Sequence, residues 1–203
     1  MNLSRRMWLL GAAIACALPG GCGTASFHPL WSASKQVSDD RVVGVWKPDK
    51  NESKKETYAV ARAEGGYAVT MKRSSEAGDF SGRYAMRLVR LGPTLFAEFT
   101  PAEDVAKRST EQYGVMFLPM YNILRLTFDK GSATLHMLDE DWLKAQAGKN
   151  PAAIQLLERP DGTLLLISST ETLQKFFERA GVDPEAFKHD GVRLVKEPAP
   201  GAP

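Results

Sequence analysis

The feature that most constrains this chain is a series of short β-type runs, each closed by a turn signal. The first spans 42–47. Runs over 57–63 and 67–73 flank Glu64-Gly65-Gly66, a hairpin signal. Over 83–91 the residues alternate, with Arg83, Ala85, Arg87 and Val89 on one face and Tyr84, Met86, Leu88 and Arg90 on the other. Gly92-Pro93-Thr94 turns this run into 95–99, and a run over 113–118 precedes Pro119. Runs over 122–128 and 133–138 flank Asp129-Lys130-Gly131, and those over 153–158 and 163–167 flank Arg159-Pro160-Asp161-Gly162. The last covers 192–196. Strands joined by short turns predict an antiparallel meander, and closing it into a barrel removes the exposed edges.

Two or three short helices are expected in the C-terminal half. Asp139 is placed to cap a helix over 140–147, with acidic residues in its first turn and Gly148 as its stop. Ser168 and Glu171 have capping-box spacing ahead of Leu173, Phe176, Phe177 and Ala180, the stripe of a helix docked by one face. Asp183-Pro184 begins a further helical turn that reaches Phe187. These aromatics read as core. The fold class is therefore mainly β, an antiparallel meander closing into a barrel over a single domain, 41–197. A Pro-rich tail follows at 198–203.

The N-terminus reads as an address. Arg5 and Arg6 precede an apolar run of 12 residues, Met7 to Leu18, and a bilayer span needs about 20. The run stops at Leu18-Pro19-Gly20-Gly21-Cys22, and small residues directly before a cysteine resemble the lipobox of bacterial lipoproteins. That resemblance makes 1–21 a signal peptide and Cys22 the acylated mature N-terminus. Gly23 after it implies sorting to the outer membrane, facing the periplasm. Cys16 is a competing site, and a plain secretory signal cleaved near Ala25 is the other reading. Ser4-Arg5-Arg6-Met7-Trp8-Leu9-Leu10 resembles the twin-arginine export pattern, so the export route stays open. Residues 22–40 read as a tether in which Phe27, Leu30 and Trp31 are large enough to dock on the body.

Charge excludes little and names no partner. The full chain of 203 residues has a formal net charge of +2. Residues 1–21 hold two of the 26 basic groups and none of the 24 acidic ones, so the remaining chain is formally neutral. Nucleic-acid binding driven by net charge is not expected. His28, His136 and His189 have no cysteine or second histidine at ligand spacing, so neither a zinc site nor any cofactor is expected. Asp139, Glu140 and Asp141 form the densest acidic cluster, but helix capping accounts for it better than a cation does. Arg83 and Arg87 share a face that an anionic ligand or headgroup would fit, whereas Arg90 points the other way. No Gly-x-Ser-x-Gly elbow or phosphate-cradling glycine loop is present, so no enzyme is expected.

Gly44-Val45-Trp46, in the first strand of such a chain, resembles the Gly-x-Trp signature of lipocalins and related fatty-acid-binding barrels. The resemblance implies that Trp46 plugs the closed end of a barrel and that a basic residue from a late strand packs across its indole. Arg193, in the final strand, is the expected partner. The chain differs from lipocalins in the helix that interrupts the strand series near Asp139. Phe117-Leu118-Pro119, Leu138-Asp139-Glu140-Asp141-Trp142-Leu143 and Ser168-Ser169-Thr170-Glu171-Thr172-Leu173-Gln174-Lys175-Phe176 are similar to phrases of uncharacterised bacterial lipoproteins. This second resemblance implies secretion and a β-rich fold, and no activity.

The sequence thus predicts an envelope lipoprotein held to the membrane by a lipid anchor, whose lipocalin-like barrel binds a small apolar or amphipathic ligand. The alternative is a structural or protein-interaction lipoprotein without a pocket, its protein partner unknown.

Overall fold

The computed structural model describes residues 24–49, 56–75, 78–113, 118–160, 162–189 and 191–198. Twelve strands appear among them, and 46% of the chain is strand. They are β1 (Ala25–Ser26), β2 (Gln36–Val37), β3 (Gly44–Pro48), β4 (Glu56–Ala63), β5 (Gly66–Ser75), β6 (Gly78–Leu91), β7 (Thr94–Pro101), β8 (Tyr121–Asp129), β9 (Ser132–His136), β10 (Leu156–Glu158), β11 (Leu164–Leu166) and β12 (Val192–Lys196). The α-helices are α1 (Glu103–Tyr113), α2 (Glu140–Lys149) and α3 (Thr170–Ala180).

Strands β3 to β9 pair in sequence order, each antiparallel to the next. Then β12 inserts between β9 and β3, antiparallel to both. The result is the closed eight-strand antiparallel barrel that the run of hairpins predicts. Hairpin chemistry sets the register. Ala63 pairs with Gly66, and Gly65 and Gly66 both have positive φ, 71° and 152°. A Cβ on Gly66 would also run into the Met86 carbonyl oxygen of β6, so this turn admits glycine for two separate reasons.

The long connection between β9 and β12 carries α2, β10, β11 and α3. Strand β11 runs parallel to β1, which in turn pairs with Tyr121 and Asn122 at the start of β8. A three-stranded sheet, β10-β11-β1, is thereby grafted onto one end of the barrel wall.

This arrangement creates two cores. Along β6, Met86 and Leu88 point into the barrel, while Val89 and Leu91 point out into a second cluster. Along β7, Leu95 and Ala97 point in and Phe96 points out; along β8, Leu126 points in and Ile123 out. Strands buried on both faces read as unbroken apolar stretches, which accounts for Leu88-Val89 in β6 and Leu95-Phe96-Ala97 in β7. The outer core is covered by α3, whose Leu173, Phe176, Phe177 and Ala180 are buried, with Phe96 edge-on to Phe177 at 5.4 Å. Burying Leu or Phe side chains of this kind contributes roughly 1.5–3 kcal/mol each.

The expected N-caps are present with one shift, but α2 runs through Gly148, its expected stop, to Lys149 and is capped by Asn150. The Asp139 side chain accepts from the Trp142 N–H at 2.6 Å and starts α2. Helix α3 is capped by Ser169, whereas Ser168 is buried and accepts from the Gln155 N–H at 2.8 Å, tying the helix start to the residue before β10. Ser168 and Ser169 are adjacent hydroxyls, and only tertiary packing separates the cap from the brace.

Helix α1 has no counterpart in the sequence reading. It buries no side chain and is held by charge, with Asp104 bridging Arg83 at 2.9 Å and Arg108 at 3.3 Å. Periodicity could not find a helix that has no apolar stripe. It takes in Tyr113, the first residue of the run expected over 113–118; residues 114–117 lie outside the described residues.

Candidate functional site

Strand alternation places Trp46 inside the barrel, 4% exposed, with its indole N–H donating to the Val42 carbonyl at 2.7 Å. Val42 ends a 3-10 turn, Asp40–Val42, and is itself buried in the barrel core. Trp46 is therefore an interior side chain of the barrel core. Its cationic partner is not Arg193. Lys196 sits directly opposite Trp46 in the β12–β3 register, and its ammonium lies 5.3 Å from the indole centroid. Arg193 is three residues away along a strand of period two, so it points outward, where it pairs with Asp49 at 3.2 Å.

The glycine of Gly-x-Trp has a job in the same contact. Gly44 and Trp46 lie on one face of β3, and the Lys196 stem passes over Gly44 to reach the indole. A Cβ at Gly44 would collide with Lys196 Cε, and the backbone there has φ +137°. The ammonium finishes on the Arg41 carbonyl at 3.2 Å. The Arg41 guanidinium covers the Phe128 ring at 4.2 Å.

Among the described residues, Trp46, Tyr58, Met86, Phe99, Leu126 and Leu194, with other apolar side chains, line a cavity of about 50 Å³ inside the barrel. On the same interior face, two residues along β4, Glu56 is buried, and the Tyr58 hydroxyl donates to its Oε1 at 2.8 Å. Burial, followed by this carboxylate, pushes the Tyr58 phenol above its ordinary range, so it remains a hydrogen-bond donor. Burial raises Tyr84 in the same way.

A second polar site lies outside the barrel wall. Glu98 of β7 is 2% exposed. Its Oε2 accepts from the Leu30 N–H and, at 3.3 Å, from the Trp31 N–H. Arg87, its cross-strand partner, stacks on the Trp31 ring at 4.2 Å. Burial pushes the Glu98 carboxyl up to about 7, against the pull of the two N–H donors and Arg87. The segment expected to be a tether is thus a strap from Thr24 onward. Leu30 is fully buried, Thr170 Oγ1 donates to the Pro29 carbonyl at 2.7 Å, and Gln174 donates to the Leu30 carbonyl at 2.8 Å.

The remaining sequence candidates do not converge. Arg83 is held by Asp104 and Arg87 by Trp31, so they form no shared anion site. Asp139 is spent on its cap and on Lys188 and His189, at 3.4 and 2.6 Å. Among the described residues, no three His, Cys, Asp or Glu side chains group as a metal would need, and no helix is long and apolar enough to cross a membrane. Cys22 lies outside the described residues.

Comparison with protein-family models, curated proteins and solved structures finds no match.

Glu98 and Lys196 escaped the sequence reading, and Glu56, whose charge-rich surroundings read as a solvated connection after the first strand, is instead buried at the start of β4. A signal existed for Glu98, an acid inside the otherwise apolar run from Leu95 to Phe99. Choosing Lys196 over Arg193 requires the β12–β3 register, which spacing alone does not supply.

Proposed function

We propose that this chain is a bacterial envelope lipoprotein, acylated at Cys22 and held at the outer membrane facing the periplasm, that works by interaction rather than by catalysis or transport. The observation that carries the interaction reading is the small interior cavity: about 50 Å³, against roughly 300–1,000 Å³ for sites that enclose small-molecule ligands. An eight-strand barrel is just wide enough for side chains to fill or for one small ligand to enter. Here the buried Trp46 and Val42 favour filling. The buried acids support a non-catalytic role, because Glu56, Glu98 and Asp139 are each engaged in holding the fold.

A second reading, a carrier of a small apolar or amphipathic ligand, draws on the wholly apolar cavity wall and the Glu56–Tyr58 pair on the same interior face. It requires the barrel to widen.

Two measurements separate these. Metabolic labelling with a palmitate analogue should mark the wild type and the Cys16→Ala variant but not Cys22→Ala; an unmarked wild type removes the anchor. Crosslinking in intact cells, followed by purification, should give a discrete protein adduct. A lipid recovered in one-to-one ratio, with no protein adduct, would favour the carrier.

A further inference from the structure

Glu98 is an acid set in an apolar layer, and the groups it holds come from a segment remote in sequence. It shares the outer face of β7 with Phe96, and Arg87 of β6 and Ile123 of β8 are its cross-strand partners. Leu30, Phe96 and Ile123 belong to the outer core around it. Its Oε2 accepts from the Leu30 N–H and, at 3.3 Å, from the Trp31 N–H. Arg87 is stacked on the Trp31 ring at 4.2 Å. The diagonal positions of β8 are Tyr121 and Arg125, and Arg125 turns onto Phe187 at 4.5 Å. Within the strap, the His28 ring lies edge-on to Phe27 at 5.5 Å. Helix α3 meets the strap through the uncharged Thr170 and Gln174, while its Glu171 and Lys175 pair with each other at the surface.

The strap is fastened at both ends and in the middle. At one end β1 lies between β8 and β11, and at the other β2 pairs with Leu88 and Val89 of β6. Between them Thr170 Oγ1 donates to the Pro29 carbonyl, Gln174 donates to the Leu30 carbonyl, and the Leu30 side chain fills the outer core. Those fastenings carry no charge. The fastening through Glu98 does. A neutral carboxyl keeps Oε2 as a carbonyl acceptor for both N–H groups. An ionised one places a charge in an apolar layer, which is costly unless an opposite charge pairs with it, and Arg87 is committed to Trp31.

We propose that Glu98 is the catch of a pH-sensitive latch: protonated, it holds the middle of the strap, His28 to Ser34, shut on the outer core, and ionised, it lets that middle section open while β1, β2 and the barrel stay folded. Opening withdraws Leu30 from the core it shares with Val89, Phe96 and Ile123. The sign follows from linkage. Burial pushes the closed-state carboxyl up to about 7, whereas a carboxyl that meets water returns to about 4.3. The closed form therefore binds the proton more tightly, and opening grows as pH rises from about 4 to about 7. The buried acid thus sets how often the strap is open, without any change in the contacts made by Thr170 and Gln174.

The test is hydrogen exchange at the Leu30 and Trp31 amides of the full-length protein at pH 5 and pH 8, corrected for the intrinsic pH dependence of exchange. Protection at these two amides should fall on the order of 10²-fold between the two pH values. At each pH they should exchange faster than the β8 amides and with little dependence on low urea, because a local opening exposes little surface. Glu98→Gln should abolish the pH dependence while the two amides remain protected. Thr170→Ala, which removes the donor to the Pro29 carbonyl, should speed exchange by a similar factor at both pH values and leave the pH dependence in place. Equal protection at pH 5 and pH 8 in the wild type would overturn the latch. So would exchange at Leu30 and Trp31 with the same protection and urea dependence as β8, since the opening would then be global. A pH dependence that survives in Glu98→Gln would assign the proton to another group and overturn it as well.

Discussion

Lys196 lies opposite Trp46 on the neighbouring strand, and its stem crosses Gly44 to bring the ammonium 5.3 Å from the indole centroid. Gly44 and Trp46, two residues apart on β3, and the remote Lys196 thus make one contact, and each should fail in its own way. Trp46→Ala should cost about 3–5 kcal/mol as a buried aromatic truncation. Gly44→Ala should cost on the order of 2 kcal/mol from positive φ and the clash with Lys196. Lys196→Ala should cost about 0.5–1 kcal/mol, and Arg193→Ala about 0–1 kcal/mol as an exposed ion pair. Urea denaturation gives the order. Arg193→Ala costing clearly more than Lys196→Ala would return the stacking role to Arg193.

Glu98 gives the protein a pH dependence of unusual sign. Its carboxyl is pushed up to about 7 in the folded state and returns to about 4.3 when unfolded. The folded state therefore holds the proton more tightly, and stability falls as pH rises from about 4 to about 7. The loss is on the order of 3 kcal/mol. Glu98→Gln should flatten this slope while keeping an acceptor for the Leu30 and Trp31 N–H groups. A wild type equally stable at pH 5 and pH 8 would contradict it.

Asp139 acts in the opposite sense. Burial raises its carboxyl, but the Trp142 N–H, Lys188 and His189 more than offset that and hold it below the ordinary value. Its contribution is present above about pH 4 and is lost as pH falls through its depressed folded value. Together the two acids place maximal stability near pH 4–5, in the gap between the two windows. Asp139→Ala should cost about 1–2 kcal/mol at neutral pH through loss of the cap, read as a lowered urea midpoint.

These acids also show what the sequence could and could not reveal. The barrel was legible because hairpin turns such as Glu64-Gly65-Gly66 fix local pairing without reference to the rest of the chain. Helices α2 and α3 were legible through Asp139 and through the Leu173–Phe176–Phe177–Ala180 stripe. Helix α1 was not, since its stabilising contacts are the Arg83 and Arg108 pairs with Asp104. Residues 24–40 looked like a tether because the groups that dock them, Glu98, Thr170 and Gln174, are 67 to 144 positions distant. Choosing Lys196 over Arg193 depends on a one-residue register, which inverts every side chain it touches.

The strap should behave as part of the core. Leu30→Ala should cost about 2–5 kcal/mol, as for any fully buried leucine. Gln174→Ala should cost about 1 kcal/mol through its bond to the Leu30 carbonyl. A chain lacking residues 24–37 should unfold at markedly lower urea than wild type, because Leu30 and the Trp31–Arg87 contact go with it. Unchanged midpoints would mean the segment is a tether after all.

The claim on which the functional account turns is that the barrel is filled by its own side chains. Native mass spectrometry of the protein purified from cells, released gently from detergent, tests it most directly. The account predicts a single mass equal to the acylated polypeptide, with no further adduct and no saturable change in Trp fluorescence when long-chain fatty acids are added. A stoichiometric lipid-sized adduct that survives mild activation, with matching saturable quenching that Trp46→Phe abolishes, would contradict it and make the barrel a carrier.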